Sequence, residues 1–470
     1  MPARTRRRYD RLAAVALVVV VVVVAAVLWL TSDIRATDAD TGADASTPPT
    51  AGTVPTGLEA AWSQPTDAGL GAIASPYGVV VTTDQHTVTG WDAVTGQRRW
   101  SYGRSNLPLC AAGSGDTDAE GAKVGGKVRG IVTIYEKNGL CSQIQALDPV
   151  TGERTYARTS PGQTGGSLVF GGPYGGWLGP TLLELWRNDL VRTFQYGDQP
   201  SPTNPGTRHL GCTFSDVAVT GDQVATVEHC DDSGPNAQLV LNWSDPGPHD
   251  EKQNQFEHTP RATIDTGSPA ALLVGITDDR AAVLVSAPIP AVVVYDADGT
   301  ESSLTPVDIP VADIVGATGV TRAVTVEGFR VGDPDTTRYS LVGDHLLAVS
   351  EGRASVTVTV TPTPTTPAEG SESTGESSAP ASTAPETKSE TRKDLAVDWV
   401  AGDALGLPAV VGGTVLLPVA DGLAVLDDAG AATSTVAVDR GGYDGVVDAA
   451  AVGEMVIETR GDTVVALRRT

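Results

Sequence analysis

The chain has 470 residues, four cysteines and a net charge of −25. Five arginines and one aspartate give residues 1–11 a charge of +4, which leaves about −29 for the remainder. An acidic balance of that size opposes binding to phosphate backbones and anionic lipid surfaces, so nucleic acid is not expected as a partner; otherwise it bears on solubility and association rather than fold.

Arg4, Arg6, Arg7, Arg8 and Arg11 precede an uncharged run from Leu12 to Leu30 dominated by Val18–Val24. At about 1.5 Å per residue such a helix reaches roughly 28 Å, close to the hydrocarbon thickness of a bilayer. Arginines before it and acidic residues after it place residues 1–11 in the cytoplasm as a basic tail, 12–30 across the cell membrane as a single-pass anchor, and the rest outside. The competing reading is a cleavable signal peptide. The run exceeds a typical apolar signal region, and only weak small-residue pairs such as Thr37 and Ala39 follow it.

Residues 31–56 are rich in Thr, Asp, Ala and Pro without hydrophobic periodicity, the composition of a disordered stalk. From 57 to 470 the sequence reads as one ectodomain interrupted by a disordered insertion over 361–393, where Pro362, Pro364, Pro367, Pro380 and Pro385 lie among Thr, Ser and Glu. Cys110, Cys141, Cys212 and Cys230 make an even set, which outside the membrane favours two disulfides. Pairing neighbours in sequence joins Cys110 to Cys141 and Cys212 to Cys230; two other pairings stay open.

Short apolar runs such as Val79–Thr82, Ile131–Tyr135, Ala281–Val285 and Val415–Pro418 alternate with Gly, Asp and Pro, with almost no helical period between them, so the class is all-β. Residues Gly90–Trp100 and Ala146–Tyr156 share a frame: strand, Asp, two residues, Thr-Gly, three residues, aromatic. Such a frame describes a hairpin in which the Asp accepts backbone N–H bonds, the Gly supplies positive φ and the aromatic packs from the returning strand. Degenerate copies run through Val294–Gly299 and Val425–Gly430.

This frame resembles the repeat of quinoprotein-like β-propellers, the family that includes pyrroloquinoline-quinone alcohol dehydrogenases and the propeller lipoprotein of outer-membrane protein assembly. The resemblance implies that each hairpin joins the third and fourth strands of a blade. Third strands ending near Trp91, Leu147, Trp186, Trp243, Tyr295, Val360, Leu426 and Leu467 give eight blades of about 48 residues, near the 40–50 expected; seven blades would need about 54 each. The last unit lacks a returning strand and Leu58–Trp62 looks like one without a blade, so the two predict a ring closed by its chain ends. Leu395–Trp399 likewise reads as the return of Ala354–Val360, making the insertion an enlarged turn.

A quinone-dependent dehydrogenase of that family needs adjacent disulfide-forming cysteines, a stacking Trp, calcium ligands and a base Asp, and this chain has no adjacent cysteine pair. No catalytic, cofactor-binding or metal-binding residues are assigned, and no cofactor is expected. His209, Cys212, His229 and Cys230 could in principle hold zinc, but consecutive strand residues point to opposite faces, so His229 and Cys230 cannot converge. Asp296, Asp298 and Gly299 open like a calcium loop without its distal Glu and read as a hairpin turn. Gly165-Gly166 and Gly171-Gly172 precede no helix, and no Gly-x-Ser-x-Gly occurs. Trp91, Trp100, Trp186, Trp243 and Trp399 are expected to pack between blades. The functional expectation is a membrane-anchored extracytoplasmic binding or scaffolding module of the cell envelope, not an enzyme, with a protein or glycan as partner and the bilayer met through the single helix. The alternative is a propeller enzyme, a quinone-dependent oxidoreductase or hydrolase, with its site at the central channel; a third is a sensor relying on a separate membrane partner.

Overall fold

A computed structural model describes residues 3–30, 32–43, 53–115, 123–124, 127–128, 130–200, 209–245, 260–317, 319–327, 336–360 and 386–470. One helix, Ala3–Leu30, is followed by eight antiparallel blade sheets, each built on four strands, and a two-stranded sheet, Lys123–Val124 with Lys127–Val128, lies within the span of blade 2. Blade 1 is built from Ala72–Ser75, Val79–Thr83, Thr87–Asp92 and Arg98–Arg104, and blade 2 from Leu109–Ser114, Ile131–Lys137, Leu140–Leu147 and Arg154–Thr159. Blades 3 to 7 continue in chain order, their third strands ending at Arg187, Trp243, Asp296, Val360 and Leu426. All eight expected third strands are thus found, and the count is eight rather than seven. The first strands pack side by side from blade 8 through blade 1 to blade 5 and again between blades 7 and 8, whereas blade 6 meets the first strand of blade 5 through its second and third strands.

Blade 8 takes Val447–Val452, Met455–Arg460 and Thr463–Arg469 from the C-terminus and its fourth strand, Leu58–Pro65, from the other end of the chain. Leu58 pairs with Arg469 and Pro65 with Thr463, so the ring is fastened by strand pairing between residues some 400 positions apart. Some second strands are buried along their whole length where blades stack on both faces: every residue of Val79–Thr83 and of Arg280–Val285 is buried. Period-two alternation is therefore lost in these strands. Outermost strands are solvated, as in Glu301–Pro306, which is exposed throughout.

The repeated hairpin is built as its residues require. Asp92 Oδ1 accepts from the backbone N–H groups of Val94 and Thr95 at 3.1 and 2.8 Å, and Asp148 Oδ1 from those of Val150 and Thr151 at 2.8 and 2.9 Å. Gly96 and Gly152 adopt φ of 67° and 72°, a left-handed backbone that costs a Cβ-bearing residue free energy. The aromatic, however, does not pack on its own turn. Trp100 fits into the gap left by Gly90 on its own blade and covers Gly152 of the next blade, its Nε1 donating to the Pro149 carbonyl at 3.1 Å. Trp62 repeats this contact over Gly96, donating to Ala93 at 3.0 Å, and Trp399 covers Gly430. A Cβ on Gly152 would sit 2.6 Å from the Trp100 ring.

Three elements differ from expectation. Within the expected stalk, Thr37–Asp40 forms a fifth strand on the edge of blade 1, Thr37 opposite Arg104 and Asp40 opposite Ser101. Backbone pairing at a sheet edge needs no hydrophobic period, which is why composition missed it. In blade 6 the pairing of His345–Val360 with Glu386–Ala401 extends to Val360 opposite Glu386, so the returning strand absorbs 386–393 of the expected insertion, and 361–385 lies outside the described residues. Finally, the connection from blade 5 to blade 6 contains a short helix, Val311–Gly316.

Replacing Gly152 with Val combines backbone strain with a clash against Trp100. It should destabilise the propeller by about 2–4 kcal/mol in equilibrium urea unfolding. A change under about 0.5 kcal/mol would remove the aromatic–glycine contact as a determinant of the ring.

Candidate functional site

A four-stranded meander sets two unlike ends on every blade. Connections between blades and the turns joining second to third strands lie at one end, here called the linker side; the other turns form the hairpin side. At the linker side the connection from blade 5 to blade 6 crosses the axis. Val320 packs against the core of blades 3 and 4, beside Leu178 and Val217. Thr321 reaches Asp216 on the first strand of blade 4 (Cys212–Val219), and Arg322 reaches Asp448 on the first strand of blade 8, on the opposite side of the ring. Residues 320–322 therefore form a strut across the channel mouth.

Asp216 is wholly buried. Its carboxylate accepts from Val217 N at 2.8 Å, Leu273 N at 2.8 Å and Thr321 N at 3.0 Å, as well as from the Thr321 hydroxyl. Burial pushes its pKa above the usual carboxylate range, opposed by the bonds from Thr321. Arg338, on the second strand of blade 6, shares this interior, and burial lowers its pKa while Asp216 opposes the shift. Asp448 also accepts from Leu407 N at 2.9 Å, which ties blade 7 into the same strut. Asp216 is taken up by backbone donors and the Thr321 hydroxyl, and Arg322 pairs with Asp448 at the part-exposed channel mouth, while Arg338 Nε is buried without a hydrogen-bond partner: for the two aspartates the arrangement is a fastening.

The four cysteines are joined as Cys110–Cys141 and Cys212–Cys230, the sequence-adjacent pairing. Cys110 lies on the first strand of blade 2 and Cys141 on its third, so that bridge spans the strand between them; Cys212 and Cys230 are direct partners on neighbouring strands. His229 turns away from Cys230 and its Nε2 lies 3.0 Å from the Pro269 carbonyl, as strand alternation requires. Glu228, two residues before Cys230, shares the cysteine's face and meets His209 at 2.9 Å. Sequence reasoning passed over Glu228 although its period-two offset from Cys230 was the available signal. The ring of His209 stacks on Tyr196 at 4.8 Å, and the hydrogen bond to Glu228 raises the His209 pKa above 6.5, against the desolvation that lowers it. His209, Cys212, Glu228 and Cys230 thus come together, with both sulfurs committed to the disulfide.

Asp296, Asp298 and Gly299 form the hairpin turn of blade 5, where Gly299 N donates to the Asp296 carbonyl at 2.8 Å and Arg280 pairs with Asp296 at 3.0 Å. Among the other tryptophans, Trp186 is buried in the core shared by blades 2 and 3, Trp91 donates to Thr82 Oγ1 at 2.8 Å within its blade, and Trp243 lies under the Arg261 guanidinium at 3.9 Å. A shallow cleft of about 30 Å³ opens between blades 2 and 3 on the hairpin side; Gly115, Val132, Phe170 and Trp186 give it a mainly apolar lining.

No family model and no curated protein matches the chain. Among solved structures it is similar to BamB from Moraxella catarrhalis, with 12% identity over 87% of this chain and 99% of that one and a TM-score of 0.42. It is also similar to the WD40 domain of SCAP from fission yeast, with 10% identity over 92% and 98% and a TM-score of 0.43. The N-terminal domain of Nup159 matches at 10% identity over 91% and 99%, with a TM-score of 0.38. Likeness at this level carries no functional argument.

Two outcomes test the site. Asp216→Ala strands Arg338 without its counter-charge and leaves the N–H groups of Leu273 and Thr321 unbonded, so it should cost about 3–5 kcal/mol in chemical denaturation. His209 has a folded pKa above its unfolded value, so its contribution is complete below about pH 6.5 and disappears as pH rises through the raised value. The stability gap between wild type and His209→Gln should therefore be about 1–2 kcal/mol near pH 6, discounted for the partial exposure of His209, and shrink toward pH 9. A gap that grows with pH in the same denaturation series would contradict the ion pair.

Proposed function

We propose that the chain is a single-pass, membrane-anchored, extracytoplasmic propeller of quinoprotein-like type that binds or scaffolds a protein or glycan of the cell envelope and performs no chemistry of its own. The observation that carries this reading is the strut over residues 320–322. A propeller enzyme would draw its reacting groups toward an open axial pocket, whereas here Asp216 is bonded to Thr321 on one side of the axis and Asp448 to Arg322 on the other. What the ring offers outward is two broad rims of turns and connections, a form suited to partners larger than a small molecule.

Support for the envelope location comes from two sides. Leu12–Leu30 is long and apolar enough to span a bilayer, with a mean hydropathy of 3.2 and none of its surface covered by the propeller. Both cysteine pairs are oxidised within the blades, which fits a compartment that sustains disulfides.

In membranes of cells expressing the full chain, the protein should resist alkaline carbonate extraction, keep its N-terminal residues on sequencing of the mature form, and yield its ectodomain to protease added from outside. Recovery of a soluble form beginning beyond residue 30 would overturn the anchor. Binding is tested separately with photo-crosslinkers placed on either rim in intact cells, where a discrete adduct is expected and turnover of a quinone or ester substrate by the purified protein would overturn the non-catalytic reading.

A further inference from the structure

We propose, resting on the anchored reading above, that the linker side of the propeller lies against the bilayer that holds the helix and makes contact with zwitterionic, ammonium-bearing lipid headgroups. Asp33, three residues after the helix ends, is clamped by Lys137 at 2.9 Å, Asn106 at 3.1 Å and Arg104 at 3.3 Å. The hydrogen bond from Lys137 holds its carboxyl below the usual carboxylate range, in spite of burial. Ser105 N donates to the Ala36 carbonyl at 2.9 Å, the Thr37–Asp40 strand continues down the edge of blade 1, Arg98 pairs with Asp40 at 2.7 Å, and Gly42 N donates to Thr151 of blade 2 at 2.9 Å. The segment after the helix is a strap laid along the blade from one rim to the other.

Its direction decides which rim meets the membrane. Arg104 ends the fourth strand of blade 1, Asn106 lies in the connection to blade 2, and Lys137 ends the second strand of blade 2, so all three partners of Asp33 are on the linker side. Only three peptide steps separate Leu30 from Asp33, a reach of about 11 Å even when fully extended. A helix seated in a bilayer therefore brings the linker-side rim to the headgroup region, and the hairpin side, from which 361–385 departs between Val360 and Glu386, faces away.

The linker side also carries most of the exposed large apolar side chains of the described ectodomain. Ile34 beside the helix is 87% exposed, and Leu210, Ile289, Val311, Val315 and Val446, all in connections or second turns, are 47–57% exposed. The same side also carries Asp231, Asp232, Asp344, Asp403, Asp421 and Asp462 in its turns and connections, each exposed. Apolar tips among carboxylates suit an interface in which side chains reach below headgroups that present ammonium groups outward, and they disfavour an anionic surface.

The test uses the full chain in nanodiscs of phosphatidylcholine containing a headgroup-quencher lipid, with one added cysteine carrying a fluorophore at Ile289→Cys, at Val315→Cys or, on the hairpin side, at Val94→Cys. Blade strands of six or seven residues separate the two sides by about 20 Å. Quenching should be at least threefold stronger at positions 289 and 315 than at 94, and it should weaken when phosphatidylglycerol replaces phosphatidylcholine. A flexible Gly/Ser insert of about twenty residues between Ser32 and Asp33 should abolish the contrast while membrane retention is unchanged. Equal quenching at all three positions in the unmodified chain overturns the orientation. Contrast seen in native membranes but not in pure lipid overturns the lipid as occupant in favour of a protein, and loss of the unmodified chain from the disc identifies failure of the anchor instead.

Discussion

Everything in the ectodomain depends on one pairing, that of Leu58–Pro65 with Thr463–Arg469. Seven blades are continuous in sequence, but the eighth exists only when the two ends of the domain meet. Without that meeting, Thr463–Arg469 would be an open edge of unpaired N–H and C=O groups, and blades 1 and 8 would each lose a covered face. The cost is the entropy of bringing distant residues together, and the return is burial on both faces for Val464, Ala466 and Leu467 together with the Trp62 contact on blade 1. Closure and the contacts between blades are therefore one cooperative event rather than two.

Around the ring, neighbouring blades are held by a contact chosen for geometry as much as for area. A tryptophan of the fourth strand lies over the positive-φ glycine of the next blade's turn, and its indole N–H finds the carbonyl just after the turn aspartate. The large ring supplies apolar burial, the glycine removes the Cβ that would hold it off, and the hydrogen bond fixes its orientation. Where a tryptophan is lacking, smaller groups serve: Ala262 and Ile264 occupy the same position over Gly299. Arg440, Glu458 and Arg460 form a buried cluster that additionally ties the connection between blades 7 and 8 to the carbonyl of Gly422.

The strut and the strap are two uses of buried or clamped aspartate in an acidic protein. Asp216 and Asp448 hold one connection across the channel mouth on the linker side. Asp33 pins the segment leaving the helix to the rim beside it. Both act by surrounding a single carboxylate with donors from separate blades, so the charge that keeps the surface solvated is turned, at a few positions, into a means of fixing connections that carry no hydrophobic pattern.

What sequence alone determined is whatever depends on neighbours along the chain. Apolar runs bounded by turn residues specified the strands, the Asp-x-x-Thr-Gly frame specified the hairpins because its hydrogen bonds are local, and the unpaired half-blades at either end predicted the closing strand. The cysteine pairing followed sequence proximity as well. Tertiary structure decided the rest: that Trp100 covers Gly152 rather than its own turn, that Glu228 and not His229 joins His209 and Cys230, that Thr37–Asp40 is a strand, and that residues 320–322 span the channel. Each of these joins groups on different blades or on a bare sheet edge. No periodicity in one strand encodes such a contact, because the free energy that selects it comes from a surface that exists only once the ring has closed.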